Sequence, residues 1–217
     1  MTDTLSPSET VLVAASRFAG PATFKTGAHV ALDGSGKVAA GPLAETVLRA
    51  ALLALERDGA ITLAREPKKE MLGLRKTHTV YAERVPGGPA PAAGTPEASL
   101  LAAVPDARAE VDRVVALWLE TDVPNPDTTV LALVCGGLVR RGLVECTETK
   151  TKKWFFTHTD VSFSLTDAAR AGVADVEALR ALVADAGGRP ELAETLRAEI
   201  RQGLNRRVEA ADYDVPD

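Results

Sequence analysis

The sequence predicts a mainly helical α+β protein in which a helical core carries β-hairpins. Two observations lead to this fold class. A stretch rich in proline and glycine, "PGGPAPAAGTP" at residues 86–96, resists both helix and central strand and therefore reads as a linker. On each side of it, an apolar helical pattern ends at a glycine and continues into an alternating strand pattern. We therefore predict two related helix–hairpin units, an N-terminal one at residues 1–85 and a C-terminal one with a helical tail at residues 97–217.

The first unit centres on the segment "LRAALLALERDGAITL" at residues 48–63. Its leucines recur at helical spacing, and Gly59 is suited to end the helix because glycine adopts the left-handed conformation without a Cβ penalty. Ile61 and Leu63 then alternate as in a strand. A basic segment and the β-rich run "LRKTHTVYAERV" follow, and together they predict a hairpin attached to the end of this helix.

The second unit repeats this scheme in "VLALVCGGLVRRGLVEC" at residues 130–146, with Gly142 in the role of Gly59. Its hairpin is predicted to include "KTKKWFFTHTDVSFSL" at residues 150–165. This segment holds four of the nine aromatic residues in the chain. The two hairpins therefore differ mainly in their aromatic content.

The second hairpin combines cations with large apolar rings: Lys150, Lys152, Lys153, Trp154, Phe155 and Phe156. Because the three rings are consecutive, they break the alternation of a half-buried strand. At least one ring, Phe155 by parity, must face a second packing surface, a partner or a membrane. Three interpretations remain open: a buried strand, a hairpin that docks on lipid, and a nucleic-acid-binding wing whose rings stack on bases.

The remaining segments are predicted to be mostly helical. Capping residues and apolar spacing predict helices at residues 9–18, 96–104, 107–120, 176–184 and 190–209. Asp106 is the expected N-cap of the helix at 107–120, and either Asp127 or Thr128 is that of the helix in the second unit. The segment "HVALDGSGKVAAG" predicts either a hairpin with its tip at residues 33–36 or a loop.

Composition and charge narrow the classes of function. The formal net charge is −5, whereas a dedicated nucleic-acid-binding domain is usually basic. No apolar run reaches the roughly 18 residues of a membrane span, and the polar, acidic start lacks the pattern of a signal peptide. Cys135 and Cys146 are too few for a disulfide framework, and Cys135 lies in an apolar run that predicts a buried free thiol. The predicted location is the cytoplasm of a bacterial-type cell, with peripheral membrane contact left open.

The sequence lacks the familiar catalytic and metal-binding patterns. His29, His78 and His158 are scattered and do not have the spacing of zinc ligands. "GSGK" at residues 34–37 does not make a phosphate-binding loop, because Val38 stands where that motif needs serine or threonine. No GxSxG nucleophile elbow occurs either. We therefore predict a non-enzymatic protein without a metal or cofactor.

The C-terminal unit resembles the wing of bacterial transcription regulators. There a recognition helix runs into "RRGL", a basic wing follows, and the chain returns through "SLT" into another helix. Here "LVRRGLVEC" and "VSFSLTDAARAG" have this order. The resemblance implies a tandem winged-helix protein that binds DNA or another protein, with Arg140, Arg141 and the lysines near phosphates. This is the alternative function.

A second resemblance covers residues 47–184 and concerns the Golgi phosphoprotein 3 family, which has bacterial members. The segments "LRAALLALERDGAITL", "REPKKEMLGLRKTHTVYAERV", "EASLLAAV" and "LVRRGLVECTETKTKKWFFTHT" match its order and approximate spacing. The resemblance implies a mostly helical, non-enzymatic membrane adaptor that binds phosphatidylinositol 4-phosphate and the cytosolic tails of glycosyltransferases. It also implies that a hairpin at residues 150–158 inserts Trp154, Phe155 and Phe156 into lipid.

The chain departs from the pattern of that family at most headgroup-binding positions. Arg49 aligns with one arginine of the phosphoinositide pocket. However, Ala40 stands near the position of the pocket's tryptophan, and Thr128 and Leu131 stand near those of two further arginines. The resemblance therefore implies docking on anionic lipid in general, with phosphoinositide as one candidate. Arg49 and the two arginines that end the helix of the second unit are the predicted anion-binding residues.

Overall fold

The computed structural model describes residues 4–24, 27–70, 75–119, 123–153, 156–173 and 175–213, with side chains at all of these except 69–70, 75–76, 149–153, 156–161 and 207–213. The helices are α1 (Pro7–Val13), α2 (Ala40–Arg57), α3 (Pro96–Ala103), α4 (Val111–Leu119), α5 (Pro126–Arg140), α6 (Asp167–Ala171), α7 (Val176–Asp185) and α8 (Pro190–Tyr213), with a 3-10 turn at Ala15–Arg17. The strands are β1 (Ala28–Val30), β2 (Lys37–Ala39), β3 (Ile61–Glu70), β4 (Arg75–Arg84), β5 (Ala109–Glu110), β6 (Val144–Lys153) and β7 (Phe156–Leu165). The predicted mainly helical α+β class is confirmed, because helices form the body of the fold and the strands pair in small antiparallel sheets.

Helix α2 lies at the centre of the fold. Fourteen of its 18 residues are buried, and α1, α3, α5, α7 and α8 pack around it. Its leucines and alanines join apolar side chains from both sides of the linker in one hydrophobic cluster. The division into units at residues 1–85 and 97–217 stays a prediction about domains, and the two parts share this core.

The first helix–hairpin unit leaves its helix through the predicted glycine. Gly59 has a φ of 79°, the left-handed conformation that glycine adopts at low cost. Its N–H donates to the carbonyl of Glu56 (3.0 Å), and the N–H of Ala60 donates to that of Leu55 (2.8 Å). This pair of bonds ends α2 by a Schellman motif, and β3 and β4 then run for ten residues each.

The second unit leaves its helix in the same way. Gly142 has a φ of 70° and donates its N–H to the carbonyl of Val139 (3.0 Å), while the N–H of Leu143 donates to Leu138 (2.9 Å). Strands β6 and β7 are again ten residues long. The repeated helix, glycine and hairpin that the sequence predicts are thus confirmed in both units.

The first hairpin is packed into the fold. β5 pairs with β4 to complete a three-stranded sheet, and α4 and α8 lie against β4. Leu63, Val80 and Ala82 are buried on the covered face. The sequence predicts residues 109–110 inside a helix, and this is wrong. They bond to the free edge of β4, where backbone groups need partners, and α4 begins only at Val111.

Other predicted boundaries shift by a few residues. The helix predicted at residues 96–104 begins at Pro96 as expected, with Thr95 as its N-cap, and ends at Ala103. α5 begins at Pro126, because proline suits the first helical position. The N-cap expected at Asp127 or Thr128 is therefore wrong. Of the two alternatives for the glycine-rich segment, the hairpin is correct, because β1 and β2 pair.

Candidate functional site

The base of the β6–β7 hairpin is exposed on both faces. Residues 145–148 of β6 and residues 162–164 of β7 are exposed without interruption. Successive side chains of a strand point to opposite faces, so an unbroken run of exposed residues means that neither face is buried over these positions. Phe163 is 44% exposed in spite of its apolar ring. Among the described residues, the sheet contains these two strands and no third.

Four of the predicted membrane-contact residues occupy strand positions toward the far end of this hairpin: Lys150, Lys152, Lys153 and Phe156. Lys153 is paired with Phe156 at the last position of the ladder. Trp154 and Phe155 lie outside the described residues. At a rise of about 3.3 Å per residue, the ten residues of β6 span about 30 Å from the end of α5.

Arg141 is bound within the fold at the base of the hairpin. Its Nη1 donates to both carboxylate oxygens of Glu9, at 2.6 and 2.7 Å, and its Nη2 donates to the carbonyl of Thr4 at 2.9 Å. The side chain of Glu9 is 0% exposed and that of Arg141 is 13% exposed. The guanidinium therefore ties the end of α5 to α1. An additional role for Arg141 in binding anions stays a prediction.

Arg140 has different surroundings from its neighbour. Its side chain is exposed and lines a depression bounded by α3, α4 and α5. Within the described part of the chain it has no ion-pair partner. It is therefore open to an anionic partner, although a role in anion binding stays a prediction.

Arg49 lies near the middle of α2, in a cluster of arginines around one buried acid. Glu45 is 3% exposed and accepts salt bridges from Arg197 (2.8 Å) and Arg201 (2.7 Å) of α8, with Arg49 at 3.8 Å. Arg49 also donates to the carbonyl of Val183 in α7. Burial lowers the pKa of Arg49, while the charge of Glu45 opposes this effect. The predicted anion-binding role of Arg49 stays a prediction, on a side chain that already has internal partners.

A second acid completes this cluster. A Cβ at Gly41 would come within 2.9 Å of Asp127 Oδ2, so the glycine lets the first turns of α2 and α5 approach each other. Burial raises the pKa of Asp127, while nearby Arg201 lowers it. Glu45 thus forms an ion-pair network with the arginines of α2 and α8, and Asp127 of α5 lies within electrostatic range of Arg201.

Sequence reasoning missed three exposed apolar side chains and the two arginines of α8 that bind Glu45, Arg197 and Arg201. Phe24, Leu117 and Leu133 are 106%, 53% and 46% exposed. The two leucines belong to helical patterns in which apolar residues usually pack inward, so spacing alone does not distinguish them. Glu45 is the available signal for the network, because a lone acid inside an apolar helix needs cationic partners.

Among the described residues, no helix is both long and apolar enough to cross a membrane. In the same part of the chain, no group of three histidine, cysteine or acidic side chains is arranged to hold a metal ion. Comparison with protein-family models, curated proteins and solved structures gave no match. Function must therefore be inferred from the geometry of the chain itself.

Proposed function

We propose that this protein is a non-enzymatic adaptor that docks on anionic membrane surfaces through the far end of the β6–β7 hairpin. The observation that carries this proposal is the exposure of both faces at the hairpin base, at residues 145–148 and 162–164. Because no other described element covers either face of the base, we expect the far end of the hairpin to extend away from the core. Three of the chain's eight lysines and three of its nine aromatic residues belong to residues 150–156, at that end of the hairpin.

The composition of this end suits a lipid interface. Tryptophan and phenylalanine rings bury at headgroup depth, while lysine stems extend their charges toward anionic lipid. Each lysine near such a surface contributes about 1 kcal/mol. Lys150, Lys152 and Lys153 together should therefore favour acidic over neutral membranes by about 3 kcal/mol, or about a hundredfold. Docking of this strength is reversible.

The surroundings of Arg49 favour general anionic lipid over a single headgroup. In the family resemblance, Arg49 belongs to a phosphoinositide pocket. Here it shares the buried Glu45 with two other arginines, so part of its charge is neutralised internally. We therefore propose that the protein selects membranes by the negative charge of their surface, which the hairpin recognises, and not by one headgroup.

The first unit does not support the winged-helix alternative, because the helix before its hairpin is mostly buried. A recognition helix must expose one face to enter the major groove. α2, which precedes the first hairpin, has fourteen of its 18 residues buried. DNA binding is therefore kept as an outcome of the test.

Vesicle co-sedimentation tests the proposal. The probes are vesicles of phosphatidylcholine alone, of phosphatidylcholine with phosphatidylserine, and of phosphatidylcholine with phosphatidylinositol 4-phosphate at matched charge. We expect wild-type protein to sediment with both acidic vesicles about equally and with neutral vesicles far less. The double variant Trp154→Ala/Phe155→Ala should lose this binding. Phe163→Ala, which removes an exposed ring at the base of the same hairpin, should retain it.

Three results would count against this function. Absence of binding to acidic vesicles would exclude membrane docking. If Phe163→Ala lost as much vesicle binding as the double variant, the far end of the hairpin would not be the docking site. A salt-sensitive shift of duplex DNA without vesicle binding would favour the winged-helix alternative. Thermal unfolding of each variant is the folding control: a large drop in Tm for the double variant would mean that the rings pack in the core.

A further inference from the structure

Two exposed leucines line a groove bounded by α3, α4 and α5. Leu117 is 53% exposed and Leu133 is 46% exposed. The groove has a volume of about 640 Å³, which lies in the range of ligand-binding pockets. Exposed apolar surface that is concentrated in a concave site is typical of a docking surface.

Small side chains and a fixed tryptophan shape this groove. Ala98 and Ala102 of α3 and Gly137 of α5 line it, and their small side chains leave room within it on those sides. Trp118 also lines it, and its Nε1 donates to Ser99 Oγ at 2.8 Å. That bond fixes the indole, so the groove has a preformed wall. A preformed site reduces the entropic cost of binding.

A second depression, of about 1040 Å³, adjoins the first at Leu117, which lines both. Its charged lining residues are Arg108, Arg113, Arg206 and Glu110. Arg140 is the charged residue among the described residues of the first groove. The combined surface therefore carries four arginines and one acid, on a chain whose net charge is −5.

Not all of these charges are available to a partner. Salt bridges of 2.6 and 2.7 Å occupy Arg108 and Arg206, and a lysine of β3 neutralises Glu110 at 2.7 Å. Arg113 and Arg140 are exposed, and neither has an ion-pair partner among the residues that the structure describes. The combined groove thus offers two free cations.

The free cations and the leucines are spaced by helical turns. Arg113 and Leu117 are one turn apart on α4, about 6 Å along the axis. Leu133 and Arg140 are two turns apart on α5, about 10 Å along the axis. Each helix therefore presents an apolar side chain and a cation on one face.

We propose that this groove binds an acidic amphipathic helix of a partner protein. Apolar side chains of that helix, at positions i, i+3 or i+4, and i+7, would pack on Leu117 and Leu133. Its flanking Asp or Glu residues would pair with Arg113 and Arg140. A nucleic acid would satisfy the cations but leave the leucines uncovered. The inference does not depend on membrane docking, and its test contains no lipid.

A peptide display library tests this proposal on the full chain. Each peptide has about 14 residues, or four helical turns, with leucines at helical spacing and the other positions varied among Asp, Glu, Lys, Arg, Ser and Ala. Selection uses the wild-type protein with counter-selection on the support without protein. We expect enrichment of peptides with Asp and Glu beside the leucines. The best peptide is then labelled with fluorescein for anisotropy titrations.

Surface variants show whether that peptide lies in the groove. Leu133→Lys should weaken its binding at least about tenfold, as expected for loss of an apolar anchor. Arg140→Glu should weaken it about fivefold at low salt, and a peptide with lysine in place of the facing acid should recover affinity for that variant. Val30→Lys is the matched control, because Val30 is 64% exposed and lies on β1. It should leave the affinity unchanged.

Several outcomes would overturn the proposal. Failure of the library to enrich acidic over basic peptides would refute the chemistry of the partner. Equal affinity for wild type and Leu133→Lys would refute the site. If duplex DNA displaces the peptide, and if DNA binds the Arg140→Glu variant more weakly than wild type, the groove is a nucleic-acid-binding site. If sedimentation shows a dimer that Leu133→Lys dissociates, the occupant is a second copy of this chain.

Discussion

The hairpins β3–β4 and β6–β7 leave their helices through the same turn and then meet different surroundings. Leu63 and Ala82 face each other in the first hairpin, and both are buried. Cys146 and Phe163 occupy the equivalent paired positions of the second, and both are exposed. Identical starting geometry therefore does not determine whether a hairpin becomes part of the core.

The difference comes from elements that follow later in the chain. α8 reaches the first hairpin through a salt bridge between Arg65 and Glu191 (2.8 Å) and a hydrogen bond from Thr79 to Glu199 (2.8 Å). β5 adds a third strand to it. Among the described residues, no strand adds to the second hairpin. The first hairpin is thus covered by other elements, whereas the base of the second is exposed.

The two units should differ most in how much stability is lost when the C-cap residue of the helix before each hairpin is replaced. Arg141 caps α5 and binds the buried Glu9, whereas the equivalent Asp58 on α2 is exposed. Arg141→Met should cost about 3–5 kcal/mol, because it leaves a buried charge without its partner. Asp58→Ala should cost less than about 0.5 kcal/mol. Urea unfolding of both variants measures the difference.

A double variant controls for the lost packing of the arginine. Glu9→Gln/Arg141→Met should be more stable than Arg141→Met alone, since no buried charge remains unpaired. If the double variant is no more stable, Arg141 acts through packing and not through its charge.

A smaller effect should distinguish the two hairpins themselves. Leu63→Ala removes a buried side chain from the first hairpin and should cost about 2–3 kcal/mol. Cys146→Ala, at the equivalent exposed position, should change the free energy of unfolding by less than about 0.5 kcal/mol. Chemical denaturation reports both values. Comparable losses would show that the second hairpin is covered as well.

The smallest effect concerns the acid beneath the first hairpin. Burial raises the pKa of Glu199 above its ordinary value of 4.5, while the hydrogen bond from Thr79 lowers it. The folded protein therefore holds this proton more tightly than the unfolded chain. Through Glu199, stability is greatest below pH 4.5 and falls as the pH rises through the raised pKa.

Glu199→Gln tests this dependence, because the amide keeps an oxygen for Thr79 and does not ionise. The free energy of unfolding, measured from about pH 4.5 upward, should fall less steeply in the variant than in wild type. Parallel pH profiles would mean that Glu199 does not titrate differently in the folded and unfolded protein.

Much of this fold follows from local sequence signals, and the exceptions have a common physical cause. Gly59 and Gly142 identify both helix ends, because the left-handed conformation strongly favours glycine. β5 and the exposure of Leu117 depend on which surfaces meet in three dimensions, and helical spacing does not encode that. Cys135 is buried and free, as predicted. The ion pair of Arg141 with Glu9 could not be predicted from the sequence, because Glu9 lies more than a hundred residues away in the chain.

The junction at Leu143 has a mechanical consequence. Its N–H binds the carbonyl of Leu138 in α5, and its own carbonyl accepts the N–H and hydroxyl of Thr166 after β7. Both strands are thus joined to the end of α5 at one buried residue, Leu143. The exposed hairpin is therefore anchored to the core directly beside Arg140 and Arg141.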